Sequence, residues 1–236
     1  MLATTHTFDR NLLLDALPAS EMDRIRPKLE PITLNVYDVL VEPDREIQHV
    51  TFIQSGIISI IAESESDSGI EVGLMGRDGL AGLRIVLGSD RSPHRTFIQI
   101  AGAGLRMRAD DLRQALLDNP VLNAVLLRYV QAHMDQLAET ALANGRYNVE
   151  ARLARWLLMC HDRMDGDVVP LTHEFLALML GVRRAGVTVA LHVLEGDQMI
   201  RAQRAHIIVR DRAKLEAAAG GCYTLPRPPR PPVATT

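Results

Sequence analysis

The sequence predicts an α+β protein: an antiparallel β unit, then a long helix, then short helices closed by a strand pair. Three observations carry this. Residues 31–108 break into short β-rich runs punctuated by Pro, Gly, Asp and Ser, the texture of an antiparallel sandwich, roll or barrel. From Asp110 to Gly145 the apolar residues recur at helical spacing. Beyond 147, two helical segments flank Gly181, and a strand, a turn, a strand and a last helix follow. At 236 residues, 47% apolar and 23% charged, with mean hydropathy +0.03, the chain is globular and long enough for a hydrophobic core.

Composition narrows the function classes. Cys160 and Cys222 are the only cysteines, so a disulfide framework and a four-cysteine iron–sulfur or zinc site within one chain are excluded. Cys160 lies in an apolar helical run and reads as a buried thiol. Aromatics make up 4%, too few for single-strand stacking platforms. The start "MLATTHTFDRN" lacks a charged region followed by an apolar one, and no apolar run approaches the roughly 18 residues of a span. The expectation is a cytoplasmic protein with no membrane partner. The net charge of −3 divides into −6 over 1–149 and +3 over 150–236, which suits the C-terminal part to polyanions.

Taken in order, residues 9–29 read as helical, with Ser20 and Asp23 as a capping pair. The runs "VLVEP", "HVTFIQ", "IISIIAES", "IEVGLMG" and "RTFIQIAG" read as strands. "DDLRQALLDNP" is a helix stopped by Pro120. A helix of roughly 25 residues, about 37 Å long, follows. Its stripe of Leu122, Leu126, Val130, Met134, Leu137 and Ala141 is the expected contact with a second copy of the chain. Asn144-Gly145 reads as a hinge. "VEARLARWLLMCHDRM" is amphipathic, and "LPRPPRPPVATT" is a Pro-rich tail expected to be disordered. The predicted division is 1–118, a β unit; 119–146, helix and hinge; 147–223, the C-terminal domain; 224–236, the tail.

The segment "PLTHEFLALMLGVRRAGVTVALHVLEGDQMI" has the steric register of a helix-turn-helix. Thr172 suits the N-cap, small Ala177 lets the second helix cross close by, and Gly181 suits a left-handed turn. Leu176, Leu180, Val182, Val187 and Ala190 supply the apolar side. Arg183, Arg184, Thr188 and His192 remain on the opposite side, at the end of a helix that would enter a major groove. An arginine there can pair bidentately with guanine, worth about 1–3 kcal/mol of discrimination. The strand pair after Ile200 reads as a β-wing, with Arg201, Arg204 and His206 near its turn and within reach of phosphates. Thr172, His173, Arg183, Arg184, Thr188, His192, Arg204 and His206 are the candidate DNA contacts.

These segments, together with "VYDVLVEPDREIQHVTFIQSGIISII", "GIEVGLMGRDGLAGLRIVLGS" and "RAQRAHIIVRDRAKLE", resemble the Crp/Fnr family of bacterial transcription regulators across roughly 10–222. The resemblance implies a double-stranded β-roll sensor, a dimerisation helix and a winged helix-turn-helix. It further implies homodimers on palindromic sites with half-sites about 34 Å apart, an effector in the roll, and RNA polymerase as a partner for an activator. The effector positions it suggests are Gly76, Gly79, Gly82, Arg95 and Thr96. The Gly-Glu pair of the cyclic-nucleotide cassette is missing, however, so the effector and any cofactor stay unidentified. Haem stays open, through His49, His94 or His133. The base-reading segment also departs, with Arg183-Arg184-Ala185-Gly186 where the family tends to Ser-Arg-Glu-Thr, and Ala205 replaces the wing glycine. The alternative is a sensor or adaptor whose helix-turn-helix contacts protein. An enzyme is not expected, since the histidines are isolated and no P-loop or Ser-His-Asp pattern occurs.

Overall fold

The computed structural model describes residues 11–64 and 67–224. The chain enters through α1 (Leu12–Asp15) and α2 (Ala19–Ile25), not one helical segment. Pro18, which cannot donate a backbone hydrogen bond, separates them. Ser20 sits inside α2 and caps nothing. Asn11 caps α1, accepting from the N–H groups of Leu13 and Leu14, while its amide donates to the carbonyls of Ile53 and Gly79.

Eight strands follow: β1 (Glu30–Leu34), β2 (Val39–Val41), β3 (His49–Ile53), β4 (Ile57–Ser64), β5 (Asp67–Met75), β6 (Leu80–Ala81), β7 (Arg95–Ile100) and β8 (Gly102–Arg108). They form two antiparallel four-stranded sheets, ordered β1-β8-β3-β6 and β2-β7-β4-β5. Leu34, Ile53, Ile58, Met75, Ala81 and Ile98 fill the space between them. This is the expected roll. The run "RTFIQIAG" is the whole of β7 and the first residue of β8, and β1 and β6 gave no clear pattern.

Next come α3 (Ala109–Asp118) and the 27-residue α4 (Pro120–Arg146), capped by Asn119, which accepts from Leu122 N–H at 2.9 Å. α4 spans about 40 Å. The Asn144-Gly145 pair does not break it, and the bend comes at Tyr147-Asn148, where Asn148 caps the next helix. An exposed helical glycine costs about 1 kcal/mol, which the rest of so long a helix absorbs.

The stripe expected to meet a second copy divides. Leu122, Leu126 and Val130 are buried, at 1%, 0% and 5% exposure, in the chain's own interior. They offer a partner no surface. Leu137 is half-buried, and Met134 and Ala141 are exposed. A second apolar line, one step round the helix, is the exposed one: Leu127, Met134 and Leu142 are 45%, 62% and 55% exposed.

The C-terminal part contains α5 (Val149–His161), β9 (Val168–Val169), α6 (His173–Leu180), α7 (Arg184–Gly196), β10 (Ile200–Gln203), β11 (His206–Val209) and α8 (Arg212–Ala218). Its small sheet runs β10-β11-β9. The Pro-rich tail lies outside the described residues. One apolar cluster joins the outer face of the roll to these helices: Ile57, Ile61, Leu74, Phe97 and Ile100 share it with Trp156, Leu157, Leu176, Met179, Leu180 and Leu191. Among the described residues no single helix is long and apolar enough to cross a membrane.

Candidate nucleic-acid interface and effector cavity

The helices over Glu174–Leu180 and Arg184–Gly196 meet at 98°, the steep crossing of a helix-turn-helix. Thr172 caps α6, its hydroxyl accepting from Phe175 N–H at 3.3 Å. Gly181 ends α6 with φ 59° and ψ 40°, and the N–H groups of Gly181 and Val182 return to the carbonyls of Leu178 and Ala177. This is the αL termination that glycine tolerates without strain. Arg152 of α5 donates to the Leu180 carbonyl and ties down the same end. Leu176, Leu180, Val187 and Ala190 are buried, while Ala177 and Val182 are half-buried, so the turn is held from its apolar side.

The opposite side is polar. Arg183 stands at the N-cap position of α7, without a side-chain cap bond, and is exposed, as are Arg184 and His192. No acidic residue occupies the first turn of α7, so the positive end of the helix dipole and two guanidinium groups act together on an approaching anion. Arg184 lies 3.7 Å from Glu174, and both side chains are exposed. So loose a surface pair is readily exchanged for a phosphate or base edge. Thr188 is half-buried and donates to the Arg184 carbonyl at 3.1 Å. Arg201 and Arg204 are exposed on the wing and His206 is half-buried. His173 opens α6, but its side chain lies outside the described part. Ala205 holds the wing turn with φ 66°, a conformation costing an L-residue about 1–2 kcal/mol. The wing is fastened to α7 by Ala202 N–H donating to Glu195 Oε1 at 3.0 Å.

Two apolar side chains also stand on this face: Val189, at a position where the family often has a basic residue, and Val193, which was not anticipated. Val189, between the arginines and His192, is 59% exposed, and Val193, just past His192, is 45% exposed. Their spacing against buried Val187, Ala190, Leu191 and Leu194 was readable on a helical wheel. An exposed apolar group on such a face suits a thymine methyl.

In the roll, a cavity of about 390 Å³ is walled by Val41, Ile47, Ile60, Val72, Met75 and Leu83, and α4 closes it with His133, Leu137, Thr140, Ala141 and Asn144. Gly82 and Thr96 line it, with Arg84, Ser92 and His94. The other three suggested effector positions lie elsewhere. Arg95 points to the outer face of β7, paired with Glu63 and lying over Phe97, because alternate strand residues face opposite ways and Thr96 takes the inner side. Gly76 and Gly79 form a tight turn against the C-terminal helices and α4. A Cβ on Gly76 would come 2.7 Å from Arg163 Cβ, and one on Gly79 would meet the Tyr129 hydroxyl at 2.9 Å. Asp78 in that turn pairs with buried Arg163, 2.7 Å away.

The three histidines do not converge. His94 and His133 share the cavity wall, whereas His49 is absent from it. Burial pushes His133 down to about 4, and its Nε2 has no hydrogen-bond partner among the described residues. His49 is also lowered, by partial burial and by Arg106 and Arg108. No group of three His, Cys, Asp or Glu among the described residues is placed to hold a metal ion.

Residues 151–218 match the family model of the Crp-like helix-turn-helix domain. No curated protein sequence gives a significant match. Among solved structures, FixK2 from Bradyrhizobium japonicum is similar in fold, with TM-score 0.70 and 14% identity over 80% of this chain and 96% of that one. A Crp/Fnr-family regulator from Eubacterium rectale gives 0.67 and 15%, covering 89% and 98%. CLP from Xanthomonas campestris, described as a c-di-GMP responsive global regulator, gives 0.64 and 17%, covering 81% and 99%. Residues 151–218 of this chain therefore match a Crp-like helix-turn-helix domain, carried on a β-roll and long-helix fold similar to that of these solved structures.

Proposed function

We propose that the chain is a sequence-specific double-stranded-DNA-binding transcription regulator that acts as a homodimer under the control of an effector held in the roll. The observation that carries the reading is the exposed Arg183-Arg184 pair at the N-terminus of a helix crossing its predecessor at 98°. Arg184 and Val189 read base edges, guanine and a thymine methyl respectively. Thr172, Arg183, Thr188, His192 and the wing residues Arg204 and His206 hold phosphates and set the register. The usual cyclic-nucleotide cassette is incomplete here: Gly82 and Thr96 line the cavity, but Gly76 packs on Arg163, Gly79 on Tyr129, and Arg95 pairs with Glu63 on the outer face. The mostly apolar wall with Arg84, His94 and His133 suits a small, largely apolar molecule.

The test is selection of duplexes from a random library followed by binding at several salt concentrations. Binding should fall with a log–log slope near −0.9 per phosphate neutralised. Arg184→Ala should weaken the selected duplex by about 1–3 kcal/mol and relax one base position. Unchanged affinity in that variant would remove Arg184 from base reading, and no duplex binding at any salt would sink the proposal.

The pairing surface is the exposed line on α4. Leu127, Met134 and Ala141 are seven residues apart, as are Gln131, Ala138 and Gly145, the interval of a two-stranded seam. Met134→Glu, which sets like charges facing each other across such a seam, should weaken self-association about tenfold or more in sedimentation equilibrium. Leu122→Glu should instead unfold the roll, since Leu122 is 1% exposed in the chain itself.

A further inference from the structure

We propose that Glu71 is a proton-operated latch between the β-roll and the helix-turn-helix region: neutral, it seats Trp156 and holds α5 and α6 against the roll; ionised, it loosens that seat. This goes beyond DNA recognition and does not depend on it. Glu71 lies on the outer face of β5 and is 6% exposed, beneath the apolar cluster shared by roll and helices. Its Oε1 accepts from Trp156 Nε1 of α5 at 2.8 Å. Its Oε2 has no hydrogen-bond partner among the described residues.

The cations around it are committed elsewhere, while Ser59 also bears on its carboxyl. From β4, the Ser59 hydroxyl donates to Gln99 Oε1 of β7 at 2.6 Å and lies 3.7 Å from Met179 Sδ of α6. From α5, Arg155 donates to the Thr140 hydroxyl at 3.1 Å. Arg163, just past α5, is held by Asp78. Cys160 is buried, and burial pushes its thiol well up, so it brings no charge. Among the described residues no cation therefore bonds the Glu71 carboxyl. Burial pushes it up to about 7, against the opposing influence of Ser59, Trp156, Arg155 and Arg163.

A carboxyl that is neutral where it is buried and ionised once it reaches water links docking to pH. Its value rises from 4.5 to about 7 on docking, so the stabilisation is complete below 4.5 and is lost as pH rises through 7. Across that interval docking weakens by up to about tenfold per pH unit. Trp156 stands on the helix that packs against α7, and Met179 on the helix preceding the turn. Loosening this seat therefore frees the DNA-reading helix to change its angle to the roll.

Trp156 is the chain's single tryptophan, so its fluorescence reports the latch directly in the full-length protein. Wild-type emission should titrate with one midpoint near pH 7. Glu71→Gln, which keeps an oxygen for the indole but cannot ionise, should be flat. Amide exchange in α6, corrected for intrinsic rates, should quicken from pH 6 to pH 8 in the wild type and stay level in Glu71→Gln. A flat wild-type titration, or one of equal size in the variant, overturns the proposal. So does equal α6 exchange in the two proteins at pH 8, which would confine the effect to the indole. The titration contains no DNA, so it is decided independently of duplex binding.

Discussion

Gly181→Val should destabilise the folded protein by about 3 kcal/mol, read as a shift of the chemical denaturation midpoint at unchanged slope. Two physical costs add. The backbone at Gly181 is left-handed, φ 59°, which costs an L-residue about 1–2 kcal/mol, and a β-branched one sits at the upper end. A Cβ there would also come 2.5 Å from Ile70 Cδ1 on the β4–β5 hairpin; that atom is the tip of a half-buried side chain that can turn aside, so the overlap adds about 1 kcal/mol, the lower end of overpacking costs. The two are separable. Ile70→Ala removes the atom that clashes, so in its background the Gly181→Val cost should fall to about 2 kcal/mol, leaving the backbone part. A full cost in both backgrounds would mean that the hairpin does not rest on the turn in solution. Gly181→Asn, tolerant of the left-handed region, should fall between glycine and valine.

That pair of costs marks what the sequence could and could not disclose. The need for a glycine was legible, because Ala177, Gly181 and the apolar flanks stand at intervals fixed by local helix geometry. The contact with Ile70 was not, because it joins residues more than a hundred apart through tertiary packing. The same division runs through the candidate site. Arg183 and Arg184 could be placed outside because the buried side of α7 is written in Val187, Ala190, Leu191 and Leu194. On α4, two apolar lines lie one helical step apart. Periodicity alone could not say that Leu122, Leu126 and Val130 meet the chain's own roll while Leu127 and Met134 stay outside. Strand alternation likewise placed Arg95 and Thr96 on opposite faces without saying which face was inner. Glu71 and Arg163 gave no signal at all. A lone carboxylate in a β run and an arginine at the end of an amphipathic helix both read as solvated until the roll and the C-terminal helices are packed together.

Asp78→Ala should cost about 2–4 kcal/mol, more than removal of both members of its ion pair. Arg163 is 5% exposed and meets Asp78 through two contacts, Nε to Oδ1 at 3.0 Å and Nη2 to Oδ2 at 2.7 Å, while Nη1 donates to the Met159 carbonyl. Burial alone would lower its pKa, but Asp78 outweighs that and raises it. Without Asp78 the guanidinium is left charged and unmatched in an interior site, the circumstance in which breaking a buried pair costs about 3–5 kcal/mol. The Asp78 side chain is 27% exposed, and water reaching that edge trims the figure. Arg163→Leu leaves the aspartate, which this exposure allows to hydrate, so that variant should lose only about 1–2 kcal/mol. Asp78→Ala combined with Arg163→Leu should then be more stable than Asp78→Ala alone, a coupling of opposite sign to two independent losses. Because Asp78 belongs to the roll and Arg163 follows α5, the same cycle measured by hydrogen exchange should expose α5 and α6 before the strands. If the double variant is no better than Asp78→Ala, the pair is solvated in solution, and the turn between Gly76 and Gly79 holds the two halves by shape alone.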